Sequence, residues 1–360
     1  MNASDASVTA DPNHSRERAP EPPRGRSGGP HLDLGILSRF TGLGLWLIFI
    51  LIFALWIPDT FLTSATAKSI ASDQAVTAIV AVGLLFTLAA GSYDLSIASN
   101  LGLSAVAAAS LMVKSDVAPL LAVFLTLAMG AGIGALNGFV VAGIGVNSFI
   151  ATLGMSSVLL AFTSLISNDQ YIGPLPQDFQ QATQHQPLGI PIVLIYALVL
   201  AIIVWYALEH TPIGRRVYAT GSNADAARLA GVRTGRYVFG TFVLTGLLAS
   251  LAGILLAAKV GSVSNDAGPP YLLPAFAACF LGTTQIKLGR FNVWGTIVAL
   301  YLLATGVKGL QLAGGEIWIT DLFNGVALVG AVSLAVISEK RRGARVKRRT
   351  ARKASAAPAG

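Results

Sequence analysis

From Val117 to Asn168 no residue carries a formal charge. One bilayer crossing takes about 20 apolar residues of helix, so this stretch is too long for one crossing and holds two. Gly143 to Asn147 supplies the break between them. The remaining uncharged windows divide in the same way, and ten spans result. They run approximately over Gly42–Ile57, Gln74–Ala90, Leu95–Val113, Val117–Ala142, Val146–Ser167, Ile190–Leu208, Tyr237–Ala258, Tyr271–Gln285, Phe291–Val307 and Ile317–Ile337. The expected fold is all-α, a polytopic membrane protein. Only 12% of residues are charged and 54% are hydrophobic, about half the charged share of a soluble domain.

Charge then sets an expected orientation. Lys and Arg in short loops resist translocation. With ten spans and the amino terminus inside, 21 of the 25 basic residues fall in the cytoplasm; Lys68, Lys114, Lys259 and Lys308 fall outside. Both termini are therefore expected to be cytoplasmic, in a multi-pass cell-membrane protein. Residues 1–40, rich in Pro, Arg, Gly and Ser, lack the apolar density to order themselves and read as a cytoplasmic tail. Residues 41–338 form the membrane domain, and 339–360 a basic cytoplasmic tail. Each tail either meets anionic headgroups, at about 1 kcal/mol per basic residue near the surface, or is simply solvated. The net charge of +8 lies mostly in the run from Lys340, which positive-inside placement explains without nucleic acid.

Several chemistries find no support. Cys279 is the single cysteine, so no intrachain disulfide forms. The histidines at 14, 31, 185 and 210 share no metal-ligand spacing, and no metal, cofactor or catalytic residue is expected. No Walker A pattern occurs, so any ATP chemistry belongs to another subunit. Trp46, Trp56, Trp205, Tyr206, Trp294 and Trp318 mostly lie near expected span ends, as an aromatic belt requires. Most glycines, as in Gly130 to Gly138, read as close-packing sites between helices.

Two segments break the apolar pattern. An ionised carboxylate at a helix centre costs about 2.5 to 3.5 kcal/mol on insertion scales, so Asp94, in AAGSYDLSIASNLGLSA from Ala89 to Ala105, avoids lipid. It either caps the third span, accepting from N–H groups near Ser96, or stands near a transport path. The second segment is the loop over residues 209–236. Its stretch TPIGRRVYATGSNADAARLAGVRTGR, Thr211 to Arg236, holds five arginines. Ser222-Asn223 caps a short helix through Ala226, Ala227 and Leu229 that stops at Gly231. Its small exposed face suits docking of a soluble protein.

These residues also carry a resemblance. The loop resembles the coupling loop of the ribose/xylose/arabinose-type ABC importer permeases, whose G-x-N-x-x-A-A-x-x-x-G-[IV] pattern is matched by Gly221, Asn223, Ala226, Ala227, Gly231 and Val232. Asp94 with Gly91, Leu95, Ser96, Ile97 and Ser99 resembles the family's G-x-x-D-L-S-[VI]-x-S motif, with Ser92-Tyr93 where a glycine is usual. Ala135 to Met155 resembles a third motif, with Asn147-Ser148 where a Pro is common before Phe149. Asn265 to Thr296 resembles a fourth, departing at Pro270, Leu273-Pro274, Thr283, Lys287 and Arg290. The prolines there make the eighth span short and broken, a pointer to substrate-handling helices.

The resemblance implies a type II ABC importer-like permease fold in a bacterial plasma membrane, and no enzyme activity in this subunit. It implies an ABC ATPase on the loop, with Arg228 joining the matched residues there. It implies an extracytoplasmic sugar-binding protein and a second permease copy, as homodimer or heterodimer. The substrate would be a neutral monosaccharide or polyol, and Asp94, Ser96, Asn100, Asn137, Asn147, Phe149 and Thr152 are the candidate path residues. For Asn137 a plain bridge between helices, worth about 0.6 kcal/mol, is the competing reading. The alternatives for the whole chain are a permease for nucleosides or branched-chain amino acids, or an ion-gradient carrier. Carriers commonly use several midplane carboxylates, and here only Asp94 and Asp321 come near the core.

Overall fold

Hydroxyl, amide and proline residues at the window edges decide where the helices start. The computed structural model describes residues 41–316 and 318–333, so both expected tails and the end of the last span lie outside the described residues. Its helices are α1 (Thr41–Trp56), α2 (Pro58–Phe61), α3 (Ser64–Ala89), α4 (Ile97–Val113), α5 (Pro119–Gly138), α6 (Ser148–Ser167) and α7 (Gln177–Gln184). They continue as α8 (Ile192–His210), α9 (Pro212–Ser222), α10 (Ala224–Leu229), α11 (Thr234–Val260), α12 (Leu272–Gly282), α13 (Val293–Leu312) and α14 (Trp318–Ser333). No strand occurs among the described residues; Ile172 and Val263 form one isolated bridge.

Thr63 caps α3 by accepting from the Thr66 N–H at 3.1 Å, Asn147 caps α6 through the N–H groups of Phe149 and Ile150, and Asn292 caps α13 at Gly295. Pro119 and Pro212 open α5 and α9, where a missing N–H is no loss. α5 runs on through a π-helical turn, Phe139–Ile144, until Gly145 at φ +89° turns the chain. The break between the fourth and fifth spans is thus where the glycines put it.

Each of the ten expected spans holds a helix among the described residues. Among the described residues six helices are long and apolar enough to cross a membrane, and four shorter apolar ones are α1, α4, the α12 segment and α14. α12 is short because Pro269 and Pro270 hold the preceding residues in a 3-10 turn, Pro269–Tyr271. α3 is longer than expected: its polar first turns, with Lys68, Ser69, Ser72 and Asp73, extend the helix before the apolar window.

The core runs along α3 and α11, whose apolar stretches are 72% and 78% buried, against 22% and 17% for α5 and α6. α11 packs on α3, α4 and α5. Contact with α5 is backbone to backbone: a Cβ on Gly246 would overlap the Gly130 carbonyl oxygen. A Cβ on Gly134 would likewise overlap the Phe242 carbonyl oxygen, and Phe242, Ala249 and Ala252 of α11 are fully buried. Cys279 is buried, its Sγ 3.2 Å from the Ala81 carbonyl. Outward residues such as Leu120, Phe124, Leu165, Ile203 and Val329 are apolar and exposed, as lipid-facing positions are.

Alternating crossings sort the loops to two ends. At one end Lys259 pairs with Asp73 at 2.8 Å, Lys114 donates to the Ile166 carbonyl and Lys68 stands 3.5 Å from Gln186. At the other lie the turn after α3, Gly145, α9 with α10, and the α12–α13 turn. Lys68, Lys114 and Lys259 thus lie opposite the Arg-rich loop.

Candidate functional site

The loop end is built from the α8–α9 corner outward. Thr211 caps α9, its Oγ1 accepting from the Gly214 N–H at 3.2 Å. α9 stops at Asn223, whose extended backbone (φ −162°, ψ 100°) starts a new helix. Asn223 Oδ1 accepts from the N–H groups of Asp225 (3.1 Å) and Ala226 (2.9 Å), satisfying donors that a helix start leaves free. Gly231 at φ +83° ends α10, donating to Arg228, while Val232 donates to Ala227. The expected cap, helix and stop are all present. α9 was not anticipated, although Thr211-Pro212 is a helix-start signal.

Ala227 is buried under α10, and Leu229 projects at 92% exposure. Arg228 pairs with Asp225 at 3.2 Å on the open face, a surface pair of little weight for stability. Beside α10 lies an open cleft of about 760 Å³, lined by Gly91, Ser92, Ala142, Gly145, Asn223 and Arg228 among others.

Gly221 anchors this unit to the core. A Cβ there would overlap the Ala89 carbonyl and press on the Gly91 N–H. Gly91 itself is at φ +79°, in the left-handed region only glycine adopts readily. The last residues of α9 and the turn after α3 therefore touch through backbone.

That turn leads into the Asp94 network. Asp94 is buried, and its Oδ1 accepts from the Ser96 N–H (3.0 Å) and Ser96 Oγ (2.6 Å). Asn137 Nδ2 donates to Ser96 Oγ at 2.7 Å. Leu95 N–H donates to Thr152 Oγ1 at 3.0 Å, and Tyr93 N–H to Ser148 Oγ at 3.1 Å. One turn on, Asn100 Nδ2 donates to the Gly246 carbonyl at 3.2 Å. Five of the candidate path residues are thus buried and hydrogen-bonded: Asp94, Ser96 and Asn137 in one chain from the α4 start to α5, Thr152 tying α6 to the Leu95 backbone, and Asn100 separately tying α4 to α11. Asn147 and Phe149 lie apart from this set, exposed at the start of α6.

Two loop-end residues escaped the sequence reading. Glu209 forms an ion pair with Lys287 and accepts from Trp205 Nε1 at 3.0 Å. Tyr218 donates from its hydroxyl to the Phe291 carbonyl at 2.7 Å. Burial pushes the Tyr218 phenol above its ordinary pKa, and the Arg290 guanidinium beside it pulls partly back. The signal was present: Glu209 is the only acid between Asp178 and Asp225.

Known proteins match this chain in sequence over most of the described residues. The family described as "branched-chain amino acid transport system / permease component" matches residues 66–332. The ribose import permease protein RbsC of Escherichia coli (strain K12) is 35% identical over 279 residues, 76% of this chain and 86% of its own. RbsC of Bacillus subtilis (strain 168) is 31% identical over 84% of this chain and 94% of its own. The autoinducer 2 import system permease protein LsrD of Salmonella paratyphi B (strain ATCC BAA-1250 / SPB7) is 31% identical over 72% of this chain and 80% of its own. No solved structure matches. With ten apolar helices among the described residues, a family match over residues 66–332 and relatives of this identity, the chain is a multi-pass membrane permease and belongs to the branched-chain amino acid transport system / permease component family.

Proposed function

We propose that the chain is the transmembrane subunit of an ATP-driven ABC importer for a neutral monosaccharide or polyol. The observation that carries the reading is α10: a capped six-residue helix offering Leu229 to solvent and joined through Gly221 to the core. An ATPase seated on α10 has a stiff route into α3 and the Asp94 turn. Relatives named as ribose, allose and autoinducer 2 permeases support the solute class. A charged solute calls for an intramembrane counter-ion, and Asp94 is occupied by Ser96.

In this reading an extracytoplasmic binding protein delivers the solute to the end bearing Lys68, Lys114 and Lys259. The Arg-rich end and both termini face the cytoplasm. A second permease copy completes the path. The buried set around Asp94 shapes its wall, while Asn147 and Phe149, exposed at the cytoplasmic end of α6, are the residues free to meet solute.

The test is uptake by proteoliposomes carrying the permease with the ATPase and binding protein purified beside it. Ribose, allose and ribitol serve as solutes, branched-chain amino acids as comparison. ATP-dependent uptake of a sugar or polyol is expected. Uptake of an amino acid alone overturns the solute class; uptake on a proton or sodium gradient without ATP overturns the importer reading.

A further inference from the structure

Between Asp266 and Lys308 the only charged residues are Lys287 and Arg290, both in the turn joining α12 to α13. Both reach across to the α8–α9 corner. Lys287 Nζ pairs with Glu209 Oε2, and the Glu209 side chain is only 8% exposed. The charge of Glu209 is therefore balanced mainly by Lys287 and the Trp205 N–H. Removing one partner of such a pair leaves an uncompensated buried charge. The Arg290 guanidinium carbon lies 3.5 Å from the centre of the Tyr218 ring, a cation over an aromatic face. The Tyr218 hydroxyl, in turn, holds the Phe291 carbonyl.

The turn is stiff in its own right. Asn292 Nδ2 donates to the carbonyls of Gly282 (3.1 Å) and Arg290 (3.0 Å), and the Gly289 N–H to Thr283 at 2.7 Å. Tyr218 sits one helical turn before Gly221 and Ser222, which lead straight into the Asn223 cap. A displacement of α10 therefore has two rigid exits: Gly221 onto the turn after α3, and Tyr218 with Glu209 onto the α12–α13 turn.

We propose that Glu209 and Tyr218 are positioning residues that latch the Lys287–Arg290 turn to the docking loop, so that movement of the loop is delivered to α12 as well as α3. This rests on the reading of α10 as the ATPase contact. α12 is the recipient that matters, being the shortest of the ten apolar helices among the described residues and fronted by two prolines, the form of helix that handles solute. With the latch broken, the ATPase still docks and hydrolyses, but α12 no longer follows.

The experiment uses the full transporter in proteoliposomes, with uptake of its best-transported solute among ribose, allose and ribitol measured beside ATP hydrolysis. Lys287→Met, Lys287→Arg and Tyr218→Phe are compared with wild type. In Lys287→Met and Tyr218→Phe the ATPase should copurify normally and uptake per ATP should fall about three- to tenfold, the scale on which network residues alter coupling. Lys287→Arg, which keeps the pair, should restore the ratio. An unchanged ratio in both variants overturns the latch, as does a parallel loss of hydrolysis and uptake with protein yield, which would mark a structural role alone. Absence of ATP-driven uptake in wild type removes the docking reading and this proposal with it.

Discussion

Gly221 lies against the carbonyl oxygen of Ala89 with no room for a methyl group between them. The obstacle is backbone on both sides, so neither can step aside by changing rotamer. Gly221→Ala should therefore push α9 from the end of α3, destabilising by about 1–3 kcal/mol as overpacking does. A lower unfolding midpoint in detergent, with weakened uptake, is the expected result. An unchanged midpoint would show that the two segments are not held together.

The α5–α11 seam predicts a contrast between two glycines. A Cβ on Gly246 meets the Gly130 carbonyl, whereas a Cβ on Gly132 meets nothing within 4 Å. Alanine favours helix over glycine by roughly 0.5–1 kcal/mol, so Gly132→Ala should be neutral or stabilising. Gly246→Ala should lower thermal stability. Equal effects at the two positions would contradict the close backbone contact.

Asp94 serves Ser96 as an acceptor through one oxygen, Oδ1. Asparagine keeps that oxygen; alanine does not. Asp94→Asn should retain most stability and uptake, while Asp94→Ala should lose about 1–3 kcal/mol, as leaving a buried donor unsatisfied does. Thermal denaturation beside uptake separates the cases. If Asp94→Asn stays stable yet abolishes uptake, the charge itself belongs to the transport path.

How far the chain could be read without its structure depended on whether the deciding interaction was local. The ten apolar helices among the described residues follow from uncharged windows, and Asn223 with Gly231 predicts α10 because a cap and a left-handed stop are local signals. α3 outran its window because Lys68 and Asp73 hide helix beneath polar side chains. The 3-10 turn and short α12 followed from adjacent prolines. What stayed hidden was long-range. Asn100 stands out as polar in the sequence, but its partner at Gly246 lies far along the chain. Glu209 became visible only when α8 and the α12–α13 turn were brought together. Helix α7, Gln177–Gln184, lies in a polar loop where no apolar window marks it.

Copurification shows whether α10 receives an ATPase. The tagged chain is drawn from its native membrane in mild detergent, beside Leu229→Asp and Arg228→Glu variants. Both side chains are largely exposed, so neither change should disturb the fold. An ATPase that accompanies the wild type and is lost from the variants, with the unfolding midpoint unchanged, is the predicted result. A wild type that brings no ATPase, or variants that bind it as well as wild type, would contradict the account.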